Sequence, residues 1–118
     1  MNLFRAFYCA FRGIAVALKS QRNMRIHAVI FVLVLGLGFF CSLSVMQWLL
    51  VLLCSALVLM AECFNSAIEG LVDAIWPGYH ARARDIKDLS AAAVLITAML
   101  ATVVGGLIFI PKLIKELF

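Results

Sequence analysis

Residues Ala61–Asp73 read AECFNSAIEGLVD, and they close a long apolar run, Trp48–Ala61, with three carboxylates and an amide. At roughly 100° per residue on a helix, Glu62, Asn65, Glu69 and Asp73 project at about 0°, −60°, −20° and +20°. They make one polar stripe about 80° wide and about three turns long. Cys63, Phe64, Ala67, Ile68, Leu71 and Val72 make the rest of the circumference apolar. An ionisable group inside a membrane span costs ~2.5–3.5 kcal/mol on insertion scales, so it normally faces a bundle interior or a wet cavity. Asp73 is far enough along to sit in water, whereas Glu62 lies one residue beyond the apolar run. Chance alignment of hydrated residues at a helix end is the plain reading, and acidic groups near a helix C-terminus also oppose the macrodipole. The functional reading is that clustered carboxylates bind a hard divalent cation or move a proton; oxygen ligands with a few waters suit Mg²⁺.

The composition around this stretch defines its setting. The chain has 118 residues, 66% of them hydrophobic, and a mean hydropathy of +1.13. An average soluble domain is roughly 45–50% apolar, and only 14% of these residues are charged, too few to cover a water-facing surface. We therefore expect an all-α integral membrane protein forming one domain over 1–118. Residues 2–22 read as an amphipathic surface helix. Phe4, Phe7, Phe11, Ile14 and Leu18 recur at spacings of three and four, and Arg5, Arg12 and Lys19 recur every seven. Spans are expected over 26–43, 45–74 and 89–110. Gly36 and Gly38 allow close helix packing in the first, Ser44 caps the second, and Trp48 suits the interfacial aromatic belt. Pro77-Gly78 should break the second helix, a polar loop should run to Asp88, Asp88 or Ser90 should cap the third span, and Pro111 should end it.

Charge placement orients these spans. Arg5, Arg12, Lys19, Arg22 and Arg25 precede the first, and Arg82, Arg84 and Lys87 follow the second. Lys112 and Lys115 follow the third, and the connection over 41–47 has no cation. A cytoplasmic N-terminus satisfies the positive-inside rule. The basic balance gives no nucleic-acid interface, because these cations border spans rather than cover a soluble domain. Cys9, Cys41, Cys54 and Cys63 show no metal-ligand spacing, so neither disulfide nor zinc site is expected. The first residues, interrupted by charge, do not read as a secretory signal peptide.

A second polar cluster, Arg84-Asp85-Ile86-Lys87-Asp88, falls at the same membrane face as the stripe. On its own it reads as a solvated loop; beside a metal-binding stripe it supplies the cations that phosphate chemistry needs. Together they point to phosphoryl transfer at a membrane face. There is no GxxxxGK[ST], and Gly36-Leu-Gly38 continues into Phe-Phe inside a span, so neither common nucleotide-binding loop is present. A reading of another class is a non-enzymatic assembly or ion-conducting subunit, with the stripe facing a shared axis.

Longer stretches carry a family resemblance. Glu62-Cys-Phe-Asn65-Ser66-Ala67-Ile68-Glu69-Gly-Leu-Val72-Asp73 resembles the signature E-x-x-N-[ST]-A-I-E-x-x-V-D of the prokaryotic diacylglycerol kinase and undecaprenol kinase family. Lys87-Asp88-Leu-Ser-Ala-Ala-Ala93-Val94 resembles its K-D-x-x-[SA]-A-A-V, and Arg22-Asn23-Met24-Arg25-Ile26-His27 resembles the R-N-x-R-I-H of the undecaprenol kinase branch. Phe7-x-x-Ala10-Phe11-Arg12-Gly13 is similar to the family's surface helix. The resemblance implies a homotrimer in the bacterial inner membrane, with active sites shared between protomers and MgATP phosphorylating a lipid alcohol. Undecaprenol is the implied acceptor, with diacylglycerol the alternative. By position it implies Glu62 as general base, Asn65 orienting that region, Glu69 holding Mg²⁺, Lys87 neutralising phosphate charge, and Asp73 and Asp88 ordering the nucleotide. Arg5 is a basic position able to reach phosphates. Gln21 stands where the family commonly has a metal-ligating Glu, and Cys9 where it has an aromatic residue.

Overall fold

The computed structural model describes residues 2–118 as four helices: α1 (Leu3–Ser20), α2 (Arg22–Phe40), α3 (Val45–Ile75) and α4 (Ala81–Leu117). The last three are long and apolar enough to cross a membrane. α3 is the central element. It packs along α4 most extensively, then against α2, with α1 touching α2 and α3 at one end. Most large apolar side chains, among them Phe4, Phe7, Phe11, Leu33, Leu53, Ile96 and Val103, point outward. In water that would be prohibitive; for helices surrounded by acyl chains or other spans it is the ordinary arrangement.

α1 starts at Asn2, whose side chain accepts a hydrogen bond from the Arg5 N–H. It ends at Gln21, which is extended and separates the surface helix from the first span. Arg25 clamps this corner by donating to the Leu18 and Lys19 carbonyls at 3.0 and 2.9 Å. Those carbonyls belong to the last turn of α1, where intrahelical donors run out.

The α2–α3 turn anchors the other end. Ser42 takes a positive φ of 53° there. Ser44 caps α3 in a reciprocal box, its hydroxyl accepting from the Gln47 N–H while the Gln47 side chain accepts from the Ser44 N–H. Gly38 lets the Trp48 indole lie against α2: a Cβ built there would meet the ring at 2.5 Å. Gly36 has open space around it, so close packing depends on one of the two glycines. Cys41, Leu43, Val51, Ile108 and Phe109 form the buried cluster beneath this turn.

Three sequence expectations about α4 need correction. Its start is eight residues earlier than the expected 89, because the His80 side chain accepts from the Arg82 N–H as the cap, and Ala83 buries its small side chain in the fold. The expected polar loop is therefore short, residues 76–80, and Asp88 and Ser90 lie inside the helix rather than capping it. Pro111 does not end α4, which continues to Leu117. A proline removes one backbone hydrogen bond, and here the downstream turn is held from outside. Leu113 packs on the buried cluster, and Lys112 donates to the Cys41 and Ser42 carbonyls at 3.5 and 3.2 Å. The second span ends at Ile75, one residue past the expected 74.

A carboxylate–amide site at one end of the bundle

At 1.5 Å per residue, Glu62 lies roughly 26 Å along α3 from Val45, and Asp73 roughly 42 Å. Against a hydrocarbon core of about 30 Å, the stripe begins inside the apolar layer and ends beyond it. The environment follows this gradient. Glu62 is 1% exposed and Asn65 5%, Glu69 is half-buried, and Asp73 is open.

Glu62 is the most completely enclosed large side chain described, and neither of its carboxylate oxygens has a hydrogen-bond partner. Burying a carboxylate without donors is costly, and an unsatisfied buried group calls for an explanation. His27 from α2 comes nearest, its Nε2 lying 3.8 Å from Oε2, too far for a hydrogen bond. The neighbouring Ser66 hydroxyl turns away, donating to the Glu62 backbone carbonyl.

Asn65, one turn on, is hydrogen-bonded through both its oxygen and its nitrogen. The Ser90 hydroxyl of α4 donates to its Oδ1, and its Nδ2 donates to Glu69 Oε1 at 3.3 Å. Because one face of the amide is committed as acceptor, the other must present N–H to Glu69. Ser90 thus sets the direction of a Ser90–Asn65–Glu69 chain, a connection the sequence reading missed. Its signal was a small polar residue among alanines in α4, legible only once α4 is known to pass α3 at that depth.

Lys87 and Asp73 form an ion pair across α3 and α4 near the turn. They line a polar cleft of about 380 Å³ with Trp76, His80, Arg84 and Asp88. The Trp76 and His80 rings stack there with centroids 5.3 Å apart. The early start of α4 matters here, since it puts Arg84, Lys87 and Asp88 on a fixed helix rather than a loop. Two expected residues lie apart: Arg5 is exposed near the start of α1, roughly 24 Å along that helix from Gln21, and Gln21 is half-buried at the α1–α2 break with no side-chain cap bond. Among the described residues no three His, Cys, Asp or Glu side chains gather as a preformed cation cage.

A buried carboxylate, a directed amide–carboxylate pair and a polar cleft thus follow one another along one long apolar helix of a three-span, all-helical fold. The family model for prokaryotic diacylglycerol kinase matches residues 8–109, and the chain belongs to that family. It is a lipid kinase, and membership implies a nucleotide phosphoryl donor. It is 37% identical over 112 residues to the undecaprenol kinase of Bacillus subtilis, covering 95% of this chain and 91% of that protein. It is 36% identical over 115 residues to the diacylglycerol kinase of a Synechocystis species, covering 97% of this chain and 66% of that one. The Escherichia coli K12 diacylglycerol kinase is 28% identical over 102 residues, with 86% and 84% covered. Kinase membership displaces the non-enzymatic assembly or ion-conducting reading.

Proposed function

We propose that this chain phosphorylates undecaprenol with MgATP at the cytoplasmic face of the bacterial inner membrane, with Glu62 as the general base. The observation carrying this is a buried, unpartnered Glu62 carboxylate one turn from the Asn65–Glu69 pair. An alcohol O–H is the donor this carboxylate lacks, and the depth of Glu62 matches a hydroxyl on a chain dissolved in the bilayer. Taking that proton as the oxygen attacks phosphorus is work typically worth 10²–10⁴-fold.

MgATP supplies the transferable phosphoryl group and a cation that spreads its charge. Glu69, aimed by Asn65, holds the cation from the protein side. Mg²⁺ is usually held by one or two carboxylates together with substrate phosphates and waters, so a single aimed carboxylate fits better than a closed cage. Gln21 offers an amide oxygen, without negative charge, as a further ligand. Lys87 neutralises phosphate charge from the turn cleft, with Asp73 and Asp88 ordering the nucleotide. Arg5 reaches phosphates from the surface helix. Its distance along α1 favours a site on a neighbouring protomer, in keeping with a homotrimer with shared sites. A cytoplasmic N-terminus follows from the cation distribution.

The acceptor reading rests on the Arg22–His27 stretch and on similarity to the Bacillus subtilis undecaprenol kinase. Diacylglycerol is the second reading, favoured by the name of the Synechocystis relative. Purified protein in mixed micelles with MgATP and each alcohol at matched surface concentration decides between them. Faster phosphorylation of undecaprenol is expected, and faster phosphorylation of diacylglycerol reverses the assignment.

A further inference from the structure

A general base that takes a proton in each turnover must lose it before the next, and Glu62 is poorly placed to do so alone. Its side chain is 1% exposed, and no described group hydrogen-bonds to either oxygen. Of the titratable groups on the elements around it, Glu69 accepts from Asn65, while Asp73 and Lys87 pair with each other near the turn. Among the described residues, His27 on α2 is the basic side chain paired with Glu62 within 4 Å: its Nε2 is 3.8 Å from Glu62 Oε2, and its side chain is 21% exposed. His27 lies five residues into α2, roughly 8 Å from the polar end of that helix, just past Arg22, Asn23 and Arg25. It stands beside the enclosed carboxylate and is itself partly exposed. It also lines the polar end of an apolar cleft of about 310 Å³ between α2, α3 and α4.

We propose that His27 is the proton outlet of Glu62, an assignment that rests on Glu62 being the base. The alcohol O–H bond breaks and its proton moves to a Glu62 oxygen. The alcohol oxygen bonds to the γ-phosphorus, and the bond from that phosphorus to the β–γ bridging oxygen breaks, its electron pair leaving with the nucleoside diphosphate. His27, with its ring proton on Nδ1, then takes the proton from Glu62 at Nε2 and releases the Nδ1 proton to interfacial water, and proton exchange with water returns the ring to its Nδ1–H tautomer before the next turnover. Each lipid phosphate made thus delivers one proton to solvent and returns Glu62 to its anion. The 3.8 Å gap is loose for proton transfer, and such contacts are commonly long without substrate and tighten to about 2.6–3.2 Å in the reacting complex. Histidine suits the task because its two distinct ring nitrogens can take a proton on one side and give one up on the other.

A relay residue that works after the chemical step separates the first turnover from those that follow. The full-length protein in mixed micelles, with MgATP and whichever alcohol it phosphorylates faster, is followed by rapid quench and then at steady state. In His27→Asn the first equivalent of lipid phosphate is expected at the wild-type rate, followed by steady-state turnover slowed at least tenfold. Added imidazole is expected to restore turnover in His27→Ala; if the alanine variant does not fold, the rescue is read on His27→Asn. Wild-type steady-state turnover in His27→Asn, loss already in the first turnover, or slow turnover that imidazole leaves untouched would each overturn the proposal. Glu62→Gln tests the underlying reading separately: its first turnover should already be slowed about 10²–10⁴-fold and gain nothing from imidazole. Wild-type product formation there would remove Glu62 as base.

Discussion

The two ends of α3 solve opposite problems. At the Val45 end the polar groups and the large ring all have partners: Ser44 and Gln47 satisfy each other's groups, Trp48 fills the space left by Gly38 with its ring tilted against Phe39 at a centroid distance of 4.9 Å, and Val51 packs with Phe109. At the Glu62 end a carboxylate is buried without donors, a histidine stands 3.8 Å away, and an amide is held in one orientation by a serine from α4. One end is packed for stability and the other is held in register with its key oxygens unbonded. Natural proteins accept local polar frustration where chemistry occurs, provided the rest of the fold supports it. The packed end is that support, fixing α2 and α4 on α3 so that His27 and Ser90 arrive at the right depth.

Substitutions at the two ends should therefore separate turnover from stability. The largest effect is expected from Glu62→Gln, which keeps the shape and removes the base: turnover should fall about 10²–10⁴-fold, with nucleotide affinity and thermal unfolding close to wild type. Lys87→Gln should raise the nucleotide KM roughly tenfold, the order of one lost charge-assisted hydrogen bond, and leave unfolding unchanged because the Asp73 pair is exposed. Gly38→Ala should do the reverse, since the new methyl group collides with the indole. We expect a loss of about 1–3 kcal/mol of stability, read by thermal or denaturant unfolding in detergent, with KM values unmoved. Ser90→Ala should cost about 1 kcal/mol, seen as a several-fold weaker Mg²⁺ dependence of nucleotide binding once the Asn65 amide is free to turn. A Gly38→Ala variant that lost activity but not stability, or a Glu62→Gln variant that lost both, would erase the contrast between the two ends.

Much of this contrast was legible in the sequence. Composition fixed an all-helical membrane protein, helical winding gathered Glu62, Asn65, Glu69 and Asp73, and Ser44 and Pro77-Gly78 marked the ends of α3. What periodicity misses is whatever depends on one helix meeting another. His27 and Ser90 are single polar residues in apolar or alanine-rich surroundings, and only the packing of α2 and α4 against α3 gives them partners. The α4 boundaries were misread for a related reason. A charged stretch reads as loop until His80 is seen to cap it, and a proline reads as a stop until Lys112 and Leu113 are seen to hold the turn beyond it.

If Glu62 is the base, the acceptor alcohol meets it within the apolar layer. A structure of the protein in lipid with the alcohol and a non-hydrolysable ATP analogue tests it most directly. The lipid hydroxyl is expected at about 2.6–3.2 Å from a Glu62 carboxylate oxygen, with the terminal phosphate on the Glu69 side. A hydroxyl seated against Asp73 or Asp88 near the turn, with Glu62 still enclosed by side chains, would contradict it.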